Sequence, residues 1–172
     1  MEYIFTEEFP NDLSFNSILI SGNNSVELNG IEYLIIKKED NKNIEKIFEI
    51  RYEYSCSPFK EAIITDNILA VGHQDNFYIF DLTRQENILT LDLNGYFGHL
   101  YIHEDNFYVA HAYGIYCMDK NGNIKWNNNN LGIDGVLIFD FYSDIITGTG
   151  EWDPPGGWID FILDKETGIL KE

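Results

Sequence analysis

Few side chains in this chain could do chemistry: His73, His99, His103 and His111, Cys56 and Cys117, and an abundance of carboxylates. Zinc binding would need ligands gathered at bonding distance. His99 and His103 share one face of a strand, but residues i and i+4 of a strand lie roughly 13 Å apart, too far to chelate. Strand order could bring His111 near one of them; the plainer reading is imidazoles satisfied between packed structural units. The two cysteines form no CxxC pair, so neither a disulfide framework nor a thiolate zinc site is supported. Paired carboxylates could bind calcium or transfer protons, yet no DxDxDG run accompanies them. There is also no GxSxG, HExxH, Walker loop or GxGxxG at a strand–helix junction. The expectation is therefore no metal, no cofactor and no enzyme, with a carboxylate-pair hydrolase as the least supported reading.

What positions these residues is a repeat. "DNILAVGHQDNFYIFDLTRQENILTLDL" starts at Asp66, "DNFYVAHAYGIYCMDKNGNIKW" at Asp105 and "DIITGTGEWDPPGGWIDFILDKETGIL" at Asp144, two steps of 39. A second aspartate closes the next apolar run at Asp81, Asp119 and Asp164. Within each copy, β-branched and aromatic runs alternate with turn residues, which predicts four short strands per copy. These are 62–65, 68–72, 77–82 and 88–93; then 100–103, 107–111, 114–118 and 124–126; then 136–141, 145–149, 158–163 and 168–171. Asp66, Asp105 and Asp144 are expected to be structural, accepting turn amides, and Asp81, Asp119 and Asp164 likewise. Segments 17–22, 30–38 and 43–54 look like strands b, c and d of a fourth, divergent copy. Over 45–54 the alternation of Ile47, Glu49, Arg51 and Glu53 against Phe48, Ile50, Tyr52 and Tyr54 favours a strand over a helix.

Four-stranded units near 40 residues are the blade pattern of β-propellers. "GIYCMDKNGNIKW" (114–126) resembles a blade of the pyrroloquinoline-quinone-type propellers, and "FYIFDLTRQENILTLDL" (77–93) is similar to that family and to WD-repeat blades alike. The resemblance covers about 60–172. Only the middle copy carries the Trp, the Trp-Asp at 152–153 lies in an inserted loop, and four units are fewer than the quinone enzymes' larger rings, so that cofactor is not carried over. The resemblance implies an all-β fold: a partial or small β-propeller of about four four-stranded antiparallel blades. The chain reads as a single domain, 1–172, with a divergent blade at about 1–60 and repeats at about 61–98, 99–134 and 135–172. Ring and open arc both remain possible.

In such blades the b–c and d–a loops share one face. There the sequence collects Glu27, Asp75, Tyr96, Phe97, Tyr113, Asp134, Glu151, Trp152 and Asp153, with Lys60 as the one base. Trp152 sits in "GEWDPPGGWID" (150–160), a stiff Pro-Pro corner followed by pliant Gly-Gly, and either folds back as a lid or stands between two hydrated acids. Trp158, at a strand start, is expected to pack. The whole chain carries 29 acids against 11 Lys and Arg, a net −18. That charge repels nucleic acid and anionic membranes and attracts basic partners. The N-terminal "MEYIFTEEFPND" has no signal-peptide pattern, and no run approaches the roughly 20 apolar residues that span a bilayer, so a cytoplasmic home is expected. In overall character the chain resembles the acidic immunity proteins of bacterial polymorphic or contact-dependent toxin systems. That implies a non-catalytic cytosolic binder of a basic, nuclease-type toxin. The alternative is a propeller-type scaffold or ligand-binding module unrelated to toxins, for instance one recognising a carbohydrate through Trp152, Trp158 and Tyr113.

Overall fold

The computed structural model describes residues 1–10, 16–22, 30–38, 43–52 and 58–171, and among these it holds fifteen strands and no helix. Glu27 and Cys56 lie outside the described residues. The chain divides into two compact units, Met1–Cys56 and Ser57–Glu172.

The first unit is a sheet of β1 (Glu2–Thr6), β2 (Ser17–Ser21), β3 (Gly30–Lys37) and β4 (Ile44–Tyr52), in the order β1-β3-β4-β2. Of the alternating run 45–54, residues 45–52 do lie in strand β4, and 53–54 lie outside the described residues. Its connectivity differs from the expected b-c-d meander, because β2 does not pair with β3 but lies parallel along β4. The side chains account for this. β3 is flanked on both sides, by β1 and β4, so β2 cannot pair with it and takes the far edge of β4. There Ser17 Oγ donates to Glu49 (2.7 Å), which also takes Arg51 Nε (2.5 Å). Burial raises the Glu49 carboxyl, but these donors outweigh it and hold it below its ordinary value. Four consecutive residues of β4, Ile47–Ile50, are buried, the mark of a strand covered on both faces.

The second unit contains the three repeats as successive sheets. β5 (Lys60–Thr65), β6 (Ile68–His73), β7 (Asn76–Asp81) and β8 (Glu86–Asp92) form an antiparallel meander. β9 (Phe97–His103), β10 (Asn106–His111), β11 (Ile115–Asp119) and β12 (Ile124–Asn128) form the next. β13 (Val136–Phe141), β14 (Ile145–Glu151) and β15 (Trp158–Asp164) form the third. Its expected fourth strand, 168–171, is reduced to a bridge between Leu163 and Leu170. These are propeller-like blades in connectivity.

Within the second unit, neighbouring sheets bury a face against each other. Ala70, Phe77 and Ile79 meet Phe97, Phe107, Val109 and Met118; beyond them Tyr108, Cys117 and Trp126 meet Val136, Ile138, Phe161 and Leu163. Each such apolar side chain contributes roughly 1.5–3 kcal/mol of burial. Gly72 is required where it stands, since a Cβ there would fall 2.0 Å from the Phe97 ring. β8 and β12 are largely exposed, while the edges of β9 and β13 are capped by side chains of the preceding sheet. Glu61 accepts Leu100 N (2.7 Å) and His99 Nδ1 (2.9 Å), and Tyr101 Oη accepts Ile138 N (3.2 Å). A strand amide at a sheet edge would otherwise lack an acceptor.

Register corrects the repeat by one residue. Asp81, Asp119 and Asp164 pair with Ile68, Asn106 and Ile145. Asp105 and Asp144 immediately precede those positions, but Asp66 lies two before, so its counterpart is Glu104. Both take left-handed φ, 52° and 47°, as a two-residue hairpin loop demands. The roles of the two sets also separate. Asp119 Oδ1 accepts Asn121 N and Asn123 N, each at 2.9 Å, Asp81 Oδ1 accepts Thr83 N and Arg84 N, each at 2.8 Å, and Asp164 does the same for its own turn. Asp66, Asp105 and Asp144 do not accept turn amides among the described residues. Their carboxylates bind lysines instead: Lys120 Nζ bridges Asp66 (2.9 Å) and Asp105 (2.7 Å), and Lys171 reaches Asp144 (3.5 Å). The pair Asp66–Lys120 recurs one sheet later as Glu104–Lys165 (2.8 Å), a repeated inter-sheet clasp.

Candidate partner-binding face

The loops expected on one face do gather at one end of the second unit: 74–75, 112–114 and 152–157 between b and c strands, 93–96 and 129–135 between sheets. Backbone bonds tie them together. Leu93 N donates to Asp75 O, Ala112 N to Tyr96 O, Gly135 N to Ala112 O and Glu151 N to Gly135 O, all at 2.8–3.0 Å. Side chains raised on this end are therefore held by a continuous bonded frame.

Tyr96, Asp134 and Trp158 meet there. The Tyr96 hydroxyl donates to the Asp134 carbonyl and lies 3.2 Å from its Oδ1. Burial, then the Asp134 carboxylate, push that hydroxyl up to about 12, so it is a donor at any physiological pH. Gly135 (φ +140°) lies beneath: a Cβ on it would be 3.4 Å from Tyr96 Oη and 3.5 Å from Trp158 Cη2. Tyr113 approaches the same region from the next loop, its ring edge over Gly95. Phe59 stacks on Tyr96 with centroids 6.2 Å apart.

The expected residues divide. Tyr113 (39% exposed), Trp152 (41%), Asp134 and Asp153 stand in solvent. Trp158, expected to pack, is 43% exposed and belongs to the aromatic set. It opens β15 opposite Glu151, on a sheet edge that Leu170 meets only further along the strand. Phe97 is a correction in the other direction: it is fully buried against Gly72 and belongs to the core. Glu151 is not a hydrated rim acid either. It is 9% exposed, and its Oε1 accepts Gly156 N at 2.5 Å. With Trp152 N donating to Gly157 O (2.9 Å), this carboxylate holds the Pro-Pro-Gly-Gly loop and so positions Trp152. Asp75 is half-buried and engages Asn76 Nδ2 (2.5 Å). Lys120, Lys165 and Lys171 neutralise acids at the opposite end, against Asp66, Asp105, Glu104, Asp144 and Asp164.

The histidines are distributed through the second unit. His99 binds Glu61, and His103 stacks on Phe141 with centroids 4.7 Å apart. His73 and His111 occupy equivalent ends of β6 and β10, each beside the equivalent tyrosine, Tyr78 and Tyr116. His111 Nε2 donates to Asn129 Oδ1 (3.2 Å), and burial lowers its pKa to about 4, so the ring is neutral. Among the described residues no group of three His, Cys, Asp or Glu is placed to hold a metal ion, and no helix is long and apolar enough to cross a membrane. No protein-family model and no curated protein sequence matches this chain.

Proposed function

We propose that this chain is a non-catalytic binding protein that captures a cationic protein on the loop face of its second unit, with the sheets serving as blades of a small or partial propeller. The observation that carries this reading is the coincidence of a net −18 charge with three exposed aromatic side chains, Tyr113, Trp152 and Trp158, on an end that also holds the exposed carboxylates Asp134 and Asp153. Long-range attraction brings a basic surface in, and aromatic side chains on a rigid frame supply the contacts that hold it. A cytosolic immunity protein for a basic toxin domain of the nuclease type is the role that fits this chemistry.

The test takes the products of the genes adjacent to this one, singly, and measures binding and its salt dependence. A basic protein held at nanomolar affinity, with association slowing steeply as salt rises, supports the reading. Binding only to neutral or acidic proteins, or to a saccharide in place of any protein, would overturn it.

A further inference from the structure

Resting on the reading above, we infer that the open edge of β15 at Trp158–Asp160 takes an extended strand of the basic partner, with a cationic side chain set against Asp160. β15 has the sequence of an interior strand but stands half at an edge. Its counterparts β7 and β11 are covered by β8 and β12, and their central residues, Phe77–Phe80 and Ile115–Met118, are buried. In the third sheet the covering segment reaches only the far half of β15: Asp164 N donates to Ile169 O and Lys171 N to Ile162 O, both at 2.8 Å. Trp158, Ile159 and Ile162 are left exposed, Ile159 at 58%. Backbone groups of an antiparallel strand alternate in direction. Trp158 and Asp160 therefore share the phase of Ile162 and Asp164, and turn their N–H and C=O groups away from β14. Among the described residues those groups meet no hydrogen-bond partner. Such an edge is a template for one more strand.

The side chains say which strand fits. Trp158, Asp160 and Ile162 share the face turned from the second sheet, whereas Phe161 and Leu163 pack toward it. The Asp160 carboxylate is exposed and makes no hydrogen bond or ion pair among the described residues. An incoming antiparallel strand gains most with Arg or Lys directly opposite Asp160 and apolar residues next along, against Ile159 and Trp158. A second copy of this chain is the poorer occupant. Two such edges paired over so short a span bring their Asp160 carboxylates near one another, between chains that each carry −18.

The experiment probes the whole chain, at near-physiological salt, with a short peptide of alternating Arg and Val and with the same peptide methylated on its arginine backbone nitrogens. Dissociation constants are read by calorimetry and amide exchange by NMR. In the free chain the Trp158 and Asp160 amides should exchange fast, and those of Ile159 and Phe161, turned toward β14, slowly. The unmethylated peptide should protect Trp158 and Asp160, and methylation, which keeps every charge but removes the strand donors, should weaken binding about tenfold or more. Asp160→Lys should cost about tenfold in affinity for the unmethylated peptide, whereas Asp153→Lys, an equal change of net charge in the neighbouring loop, should cost far less. Equal binding of the two peptides, or equal effects of the two substitutions, would overturn the docking edge. Protection of Trp158 and Asp160 that grows with protein concentration and needs no peptide would assign the edge to a second copy and overturn it too. If a basic protein were still captured with steep salt dependence, the wider function would survive those results. Failure of the peptide and of every basic protein would remove the function as well.

Discussion

Trp126→Ala should be the most damaging tryptophan substitution. Trp126 is 8% exposed, lies between Tyr108 and the next sheet, and donates its indole N–H to Lys165 O at 2.9 Å. Gly168 lies so close that a Cβ on it would be 2.3 Å from the indole. Truncating a large aromatic in such a core costs about 3–5 kcal/mol, and the Lys165 carbonyl left without its donor places this site near the upper end. Trp126→Phe keeps a ring in place and loses the donor, so about 2 kcal/mol is expected. With a urea slope of about 2 kcal/mol per molar, the midpoints should fall by about 2 M and 1 M. Trp158→Ala, at a site 43% exposed, should cost no more than about 1 kcal/mol. The assay is urea unfolding followed by circular dichroism, with coincident fluorescence of the remaining tryptophans as the check on cooperativity. A cost below about 1 kcal/mol for Trp126→Ala, or an equal cost for Trp158→Ala, would refute the inter-sheet packing described above.

Three further outcomes follow from the same geometry. His111 is depressed to about 4 by burial, against about 6.5 when unfolded, so only the unfolded chain takes up its proton as pH falls through that window. Its contribution is complete above about pH 6.5 and lost towards pH 4, roughly 1.4 kcal/mol per pH unit, and His111→Gln should flatten that part of the stability profile. Glu104→Gln should lower the melting temperature more than Lys165→Met, because it leaves an ammonium of 5% exposure unpaired while the reverse change leaves a carboxylate in water; equal effects would argue against the clasp. Glu151→Ala should leave the fold intact, but free the 152–157 loop, seen as faster amide exchange at Gly156 and Gly157.

What was legible in the sequence was the local chemistry. Asp81, Asp119 and Asp164 precede turn residues within reach of their own carboxylates, so spacing alone identifies them as turn acceptors. Strand positions followed from period two for the same reason. Longer-range partners were not legible. Asp66 matches Asp105 in the text, but the loop conformation and strand register match it to Glu104, one residue later. Phe97 read as a loop aromatic of the binding face and Trp158 as a packed aromatic at a strand start; the first is buried by Gly72 of the preceding sheet, and the second meets no such partner. Glu151 looks like a rim acid until the loop folds back to give it an amide. The parallel pairing of β2 with β4 depends on which sheet edge remains open, a property of the assembled first unit.

The central claim is that the loop face of the second unit docks a basic protein through attraction followed by aromatic contact. It is tested most directly by the salt-dependent association and dissociation rates of the captured partner against wild type and a Tyr113→Ala, Trp152→Ala, Trp158→Ala triple variant. Screening shortens from about 10 Å at 0.1 M to about 3 Å at 1 M salt, so the wild-type association rate should fall steeply while dissociation barely changes. The triple variant should keep the salt dependence and dissociate about 30-fold faster or more, the counterpart of roughly 2 kcal/mol at a hot spot. Association indifferent to salt, together with dissociation unchanged in the triple variant, would contradict the account.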